Sequence, residues 1–150
     1  MSSVFTKIIK GENTCYKIAE TKNAYAFLDI RPLSKGHTLV VPKREIDRLF
    51  DLPEKEFNSL WSFAQNVAKA IEGEISCNRV GVAVLGFEVT HAHIHLVPLR
   101  TEGDLNFALP SSSYFTTGPY FAIIYTCLSS ILICSLLFLL IFLESSHISS

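Results

Sequence analysis

The chain has 150 residues and a formal net charge of −1, with 13 Lys and Arg against 14 Asp and Glu. That length is one domain's worth with room for an appendage, and the charge balance leaves no broad basic face for nucleic acid. Four cysteines (Cys15, Cys77, Cys127 and Cys134) form no C-x-x-C pair and read as reduced thiols of a cytoplasmic protein, and Met1–Lys7 has no apolar signal-peptide core.

Phe5 to Ile9 is a short apolar-rich opening, followed by the turn signal Gly11-Glu12-Asn13. Cys15–Glu20 and Ala24–Ile30 read as two strands of a hairpin around Thr21-Lys22-Asn23. Asp29 stands near the end of that second apolar run, where a turn cap for Arg31-Pro32 and a binding role are both open. After the loop Leu33–Gly36, His37–Val41 reads as a third strand closed by Pro42-Lys43. Asp51-Leu52-Pro53-Glu54 carries a helix start, with Asp51 as the cap. Phe57, Leu60, Trp61, Ala64, Val67, Ala68 and Ile71 then recur at helical spacing, which predicts a helix over Glu54–Glu72 ended by Gly73. Arg79–Leu85 is a fourth strand, Gly86–Thr90 a tight connection, and His91–Leu99 a fifth strand in which Pro98 should weaken regular pairing. These elements predict an α+β fold: a five-stranded, largely antiparallel sheet with one main helix.

The fifth strand carries His91-Ala92-His93-Ile94-His95-Leu96-Val97. Period-two alternation puts the three histidines on one face, ~7 Å apart in sequence steps of two, and Ala92, Ile94 and Leu96 on the other. Such a row fits a surface strand, a metal site, or catalysis by histidine itself.

The composition changes after this region. No Lys or Arg follows Arg100, and no acidic residue falls between Asp104 and Glu144. The expected organisation is a domain over 1–107, a linker over 108–119 and an apolar segment over 120–143. Tyr120–Leu143 is 24 residues without a charge, about 36 Å as a helix against a bilayer core of ~30 Å. It reads either as a C-terminal membrane anchor, leaving the domain in the cytoplasm, or as a non-native tail from a shifted reading frame.

The histidine row resembles the signature of the histidine triad (HIT) family of nucleotide hydrolases and transferases, in which three histidines alternate with apolar residues. Ala26-Phe27-Leu28-Asp29-Ile30 with Gly36-His37-Thr38-Leu39-Val40-Val41-Pro42-Lys43 is similar to a second family segment. Phe5–Ile9 with Gly11-Glu12 resembles its opening strand region. The likeness covers residues 1–107 and is strongest to the Hint-like branch.

The resemblance implies a HIT-like fold and a catalytic set of His93, His95, His91 and His37. His93 would attack the α-phosphorus of a nucleotide, with its other ring nitrogen held by the backbone carbonyl of His91. His95 would bind a phosphate oxygen or the leaving group, and His37 would orient the cluster. Main-chain N–H groups around Glu88 and Val89 would receive phosphate. Asp29 would take the ribose hydroxyls, and Phe5, Ile8, Phe27 and Ile30 would flank the base.

The implied activity is cleavage of nucleoside 5′-phosphoramidates, related adenylates or dinucleotides; the alternative is a nucleotide-binding or scaffold protein with little turnover. The implied partners are a purine nucleotide of adenosine type and a second copy of the chain, packed through the Glu54–Glu72 helix and a neighbouring strand. Nucleic acid is not implied, and a membrane only if the 120–143 segment is genuine.

No cofactor and no metal are expected. Zinc-carrying members of the family have a Cys pair near the start and a His after the Pro-Lys segment, where this chain has Ser3, Thr6 and Glu45. Many Hint-like members also place a phosphate-contacting Asn on the strand before the triad, where this chain has Ala83.

Overall fold

The computed structural model describes residues 2–107. The expectations for the linker 108–119 and the segment 120–143 lie outside the described residues. Helix α1 (Val4–Ile9) is followed by strands β1 (Lys17–Glu20), β2 (Ala24–Leu28) and β3 (Thr38–Pro42), helix α2 (Glu54–Glu74), and strands β4 (Arg79–Ala83) and β5 (Ile94–Leu99). The five strands form one antiparallel sheet in the order β1-β2-β3-β5-β4.

Each face of the sheet has its own apolar cluster. On one, α2 buries Leu60, Phe63, Ala64, Val67 and Ile71 against Ala24, Ala26, Val40, Ala92, Ile94 and Leu96. Ile94 in this layer is fully buried, so Ile94→Ala should cost about 2–5 kcal/mol through lost transfer energy and the cavity left behind. On the other, α1 lays Phe5, with Ile8 and Ile9, over Tyr25, Phe27, Leu39 and Val41. Alternation along 91–96, into β5, thus sends Ala92, Ile94 and Leu96 to the α2 side and leaves the histidines to the α1 side.

Several local expectations are corrected. Phe5–Ile9 is helical rather than the start of a strand: Ser3 Oγ accepts from the Thr6 N–H as an N-cap, and Phe5, Ile8 and Ile9 then share one helix face. Asp51 closes a 3-10 turn (Leu49–Asp51) and does not cap α2, whose cap position is Pro53 with no side-chain bond. Gly73 lies inside α2, which ends at Glu74. Pairing does not fail at Pro98: on the β4 side it faces Val80 and the ladder runs on to Leu99, while the β3 ladder already ends at Leu96. The missing N–H falls where no β3 partner waits for it.

The fifth strand begins at Ile94 rather than His91, because the preceding amides bond elsewhere: His91 N–H donates to Val89 O at 2.8 Å and Ala92 N–H to Ile46 O at 2.6 Å. The connection from β4 is therefore longer than Gly86–Thr90. Gly86 turns it at φ +78°, a left-handed conformation that favours glycine.

Candidate active site

The site forms where α1, the outgoing end of β2, the residue entering β3 and the connection into β5 meet. Gly36 sets His37 in place. Its φ is +87°, and a Cβ there would come within 2.0 Å of Ile75 Cδ1, so both conformation and space call for glycine. A cleft of about 470 Å³ opens between these segments. Phe5, Ile8, Phe27, Asp29, Ile30, His37, Glu88, Val89, His93 and His95 all line it. His91 does not; it is fully buried behind the cleft.

The tautomers of the four histidines follow from their backbone partners, since a carbonyl only accepts and an N–H only donates. His93 Nδ1–H donates to the backbone oxygen of its neighbour His91 at 2.7 Å. A neutral His93 therefore carries its lone pair on Nε2. The Leu33 N–H donates to His37 Nδ1 at 3.1 Å, so the His37 proton is on Nε2 and points to His95 Nδ1 at 3.0 Å. That leaves His95 as an Nε2–H donor. His91 Nε2–H donates to Pro42 O at 2.8 Å, and its Nδ1 receives the Ser3 hydroxyl at 2.7 Å.

Burial disfavours the charged form of His37, His91 and His95. Loss of hydration, then the nearby charge of His93, pulls His37 down to about 4. His95 is likewise lowered to about 4 by burial and by the facing His37 and His93. Burial also lowers His91. Asp29 is raised, again chiefly by burial, against the bond from Arg31 and the charges of His95, Arg31 and His93. Its Oδ1 accepts the Arg31 N–H at 2.8 Å, while Oδ2 lies 3.8 Å from His37 Nε2. Asp29 thus caps the turn with one oxygen while its side chain lines the cleft.

Asp29, His37 and His95 are close enough to suggest a metal, with one donor atom from each within 4.8 Å of the others. The hydrogen bonds oppose it. A cation would need the lone pair of His37 Nε2, which is protonated as long as the Leu33 amide occupies Nδ1. Around His91, the side chains of Ser3, Thr6 and Glu45 are two hydroxyls and a carboxylate rather than a zinc donor set, and they are bonded to one another.

The HIT domain family model matches residues 10–102. The chain belongs to the HIT family. An adenosine 5′-monophosphoramidase of Saccharomyces cerevisiae is 38% identical over 100 residues, which are 66% of this HIT chain and 63% of that protein. An uncharacterized HIT-like protein of Methanocaldococcus jannaschii is 41% identical over 109 residues, 67% of this chain and 81% of its own. Among solved structures, a Zn-bound histidine triad family protein from Mycobacterium smegmatis superposes with a TM-score of 0.69 at 28% identity, covering 87% of this chain and 96% of that one.

Three features of this HIT site carried no sequence signal. Phe107 sets its ring edge against His95, 5.0 Å between centroids, and against His37 at 6.4 Å. Arg31 and Glu88 form an ion pair at the cleft, joining residues far apart in the chain. Exposed Phe87 stands at the rim. Ala83, at the position the resemblance matches to a phosphate-contacting Asn, pairs with His95 across the sheet and brings no polar side-chain atom.

Proposed function

We propose that this HIT protein is a nucleotide hydrolase or transferase that cleaves nucleoside 5′-phosphoramidates, or related adenylates, through a nucleotidyl-His93 intermediate. The observation that carries the reading is the 2.7 Å bond from His93 Nδ1 to the His91 carbonyl. A carbonyl acceptor commits the proton to Nδ1 and leaves Nε2 as the nucleophile. Nε2 attacks the α-phosphorus, the P–N bond breaks, and the amine leaves with its electron pair and takes up a proton. Water then cleaves the His93–phosphorus bond, giving the nucleoside monophosphate and restoring the ring.

His95, an Nε2–H donor, serves a phosphate oxygen or the leaving group. Main-chain N–H groups around Glu88 and Val89 receive the other phosphate oxygens, where preorganised donors stabilise developing charge. Asp29 takes the ribose, and Phe5, Ile8, Phe27 and Ile30 form the base wall. The adenosine preference is supported by the phosphoramidase names of the Saccharomyces cerevisiae and Schizosaccharomyces pombe relatives.

A homodimer belongs to the same reading. Among the described residues β4 is an edge strand and exposes Val82, with Val84 and Leu85 following it. Light scattering should give twice the chain mass; a stable, active monomer would count against it.

His93→Ala tests the mechanism. Release of AMP from adenosine 5′-phosphoramidate should be abolished while AMP affinity, measured in parallel, stays near wild type, because the ribose and base contacts are untouched. Unchanged turnover would remove the covalent histidine. Negligible turnover in the wild-type protein with intact AMP binding would favour the nucleotide-binding or scaffold alternative.

A further inference from the structure

Behind the cleft, three side chains converge on His91 from two other parts of the chain. Ser3 Oγ donates to His91 Nδ1 at 2.7 Å, and Thr6 Oγ1 is 3.4 Å from the same nitrogen. Glu45, in the segment after β3, accepts from the Ser3 N–H at 3.1 Å with one carboxylate oxygen and from the Thr6 hydroxyl with the other. The Ser3 hydroxyl accepts the Thr6 N–H at 3.0 Å, and of the two acceptors within reach of its single proton, His91 Nδ1 at 2.7 Å is nearer than Thr6 Oγ1 at 3.1 Å. With Pro42 O receiving Nε2, the His91 ring is bonded at both nitrogens.

His91 contributes no side-chain atom to the cleft, yet its carbonyl is the acceptor for His93 Nδ1. The two rings are bridged by Phe5, two residues after Ser3, with centroid distances of 5.8 Å to His91 and 5.2 Å to His93.

The geometry points to Ser3, Thr6 and Glu45 as positioning residues for the nucleophile: by holding the His91 ring they hold the backbone oxygen that aims His93. The inference rests on the reading of His93 as nucleophile. Glu45 clamps the start of α1, Ser3 transmits that clamp to the His91 ring, and the His91 peptide fixes the His93 tautomer and direction. Rate depends steeply on nucleophile direction, whereas the ribose acceptor Asp29 and two base-wall residues, Phe27 and Ile30, lie at the end of β2, outside this cluster; Phe5 and Ile8 share α1 with it. The cluster should therefore act more on kcat than on KM.

The test uses the full chain, adenosine 5′-phosphoramidate as substrate, and the ring-nitrogen NMR signals of His91 and His93. Ser3→Asp keeps a good helix cap but replaces the hydroxyl donor with a pure acceptor. It should lower kcat on the order of ten- to hundredfold, with KM changed by less than about threefold, and should move His91 Nδ1 from unprotonated to protonated. Ser3→Thr retains cap and donor and should restore both readouts. Glu45→Ala, at an exposed position, should lower kcat in the same direction by several-fold (~3–10). Wild-type kcat in either folded variant, or equal loss in Ser3→Asp and Ser3→Thr, overturns the inference. His93→Ala separates the layers: retained turnover there removes the nucleophile reading itself, whereas an inactive His93→Ala beside a fully active Ser3→Asp removes only the positioning role.

Discussion

His37 donates to His95 across 3.0 Å, and the direction of that bond is set from outside the pair, by the Leu33 amide on the far nitrogen of His37. One backbone N–H thereby decides which nitrogen of His95 presents a proton. On the proposed reading, the loop Leu33–Gly36 and the turn into β3 would influence the phosphate site through the His95 tautomer.

His37→Phe keeps an aromatic ring in the space but can neither accept from Leu33 nor donate to His95. His95 would then be free to adopt either tautomer. The expected outcome is a fall in kcat on the order of tenfold to a hundredfold, with AMP affinity changed much less. Steady-state kinetics and the His95 ring-nitrogen spectrum check it; an unchanged His95 tautomer would sever the link.

Asp29 makes a prediction about the sugar. Oδ1 is committed to the turn through Arg31, and the carboxylate lines the cleft. A charged acceptor contributes about 1.5–3 kcal/mol per hydrogen bond to a hydroxyl. AMP should therefore bind at least about tenfold tighter than its 2′,3′-dideoxy analogue. Asp29→Asn should narrow the gap. Equal binding of the two nucleotides by calorimetry would leave Asp29 as a turn cap.

What was legible in the sequence is what repeats. The alternation of His91, His93 and His95 with Ala92, Ile94 and Leu96 fixed the faces of the last strand, and the stripe from Leu60 to Ile71 fixed α2. Apart from His91, which is buried, the residues named for the site line the cleft, because motif and fold are tied in this family. Contacts set by distant partners were not legible. The first residue of β5 depends on Ile46 taking the Ala92 amide, and six-residue α1 is too short to show a full helical period. Ser3, Thr6 and Glu45 looked only like absent metal ligands, since nothing local says that they bond to each other and to a residue near position 91.

Acid should weaken the fold over a defined window. Unfolded histidines take up protons near pH 6.5, whereas folded His37 and His95 do so only near 4. Between those values the unfolded state binds more protons, so stability is fully present above about pH 6.5 and declines as pH falls toward 4. Asp29, raised by burial, works in the opposite sense. Melting temperature should drop across pH 6.5 to 4, and less steeply in His37→Phe relative to its own value at pH 7. A flat profile in the wild-type protein would mean that these rings are hydrated.

The last prediction concerns where the chain can be cut. The Phe107 ring contacts His95 and His37, so a boundary before it would strip a wall from the site. No helix among the described residues is long and apolar enough to cross a membrane. Tyr120–Leu143, outside them, carries 24 residues without a charge. Exposing such a stretch to water is unfavourable whether it is an anchor or a product of a shifted frame. A chain ending at Phe107 should keep wild-type kcat and stay monodisperse at concentrations where residues 1–150 aggregate or need detergent. Removing Phe107 as well should lower activity. In native cells the frame-shift reading predicts enzyme in the soluble pool, with a mass that does not match the 150-residue sequence. Protein of full mass that sediments with membranes and resists carbonate extraction would establish the anchor instead, with the catalytic domain on the cytoplasmic side, where Arg100 lies and beyond which no Lys or Arg follows.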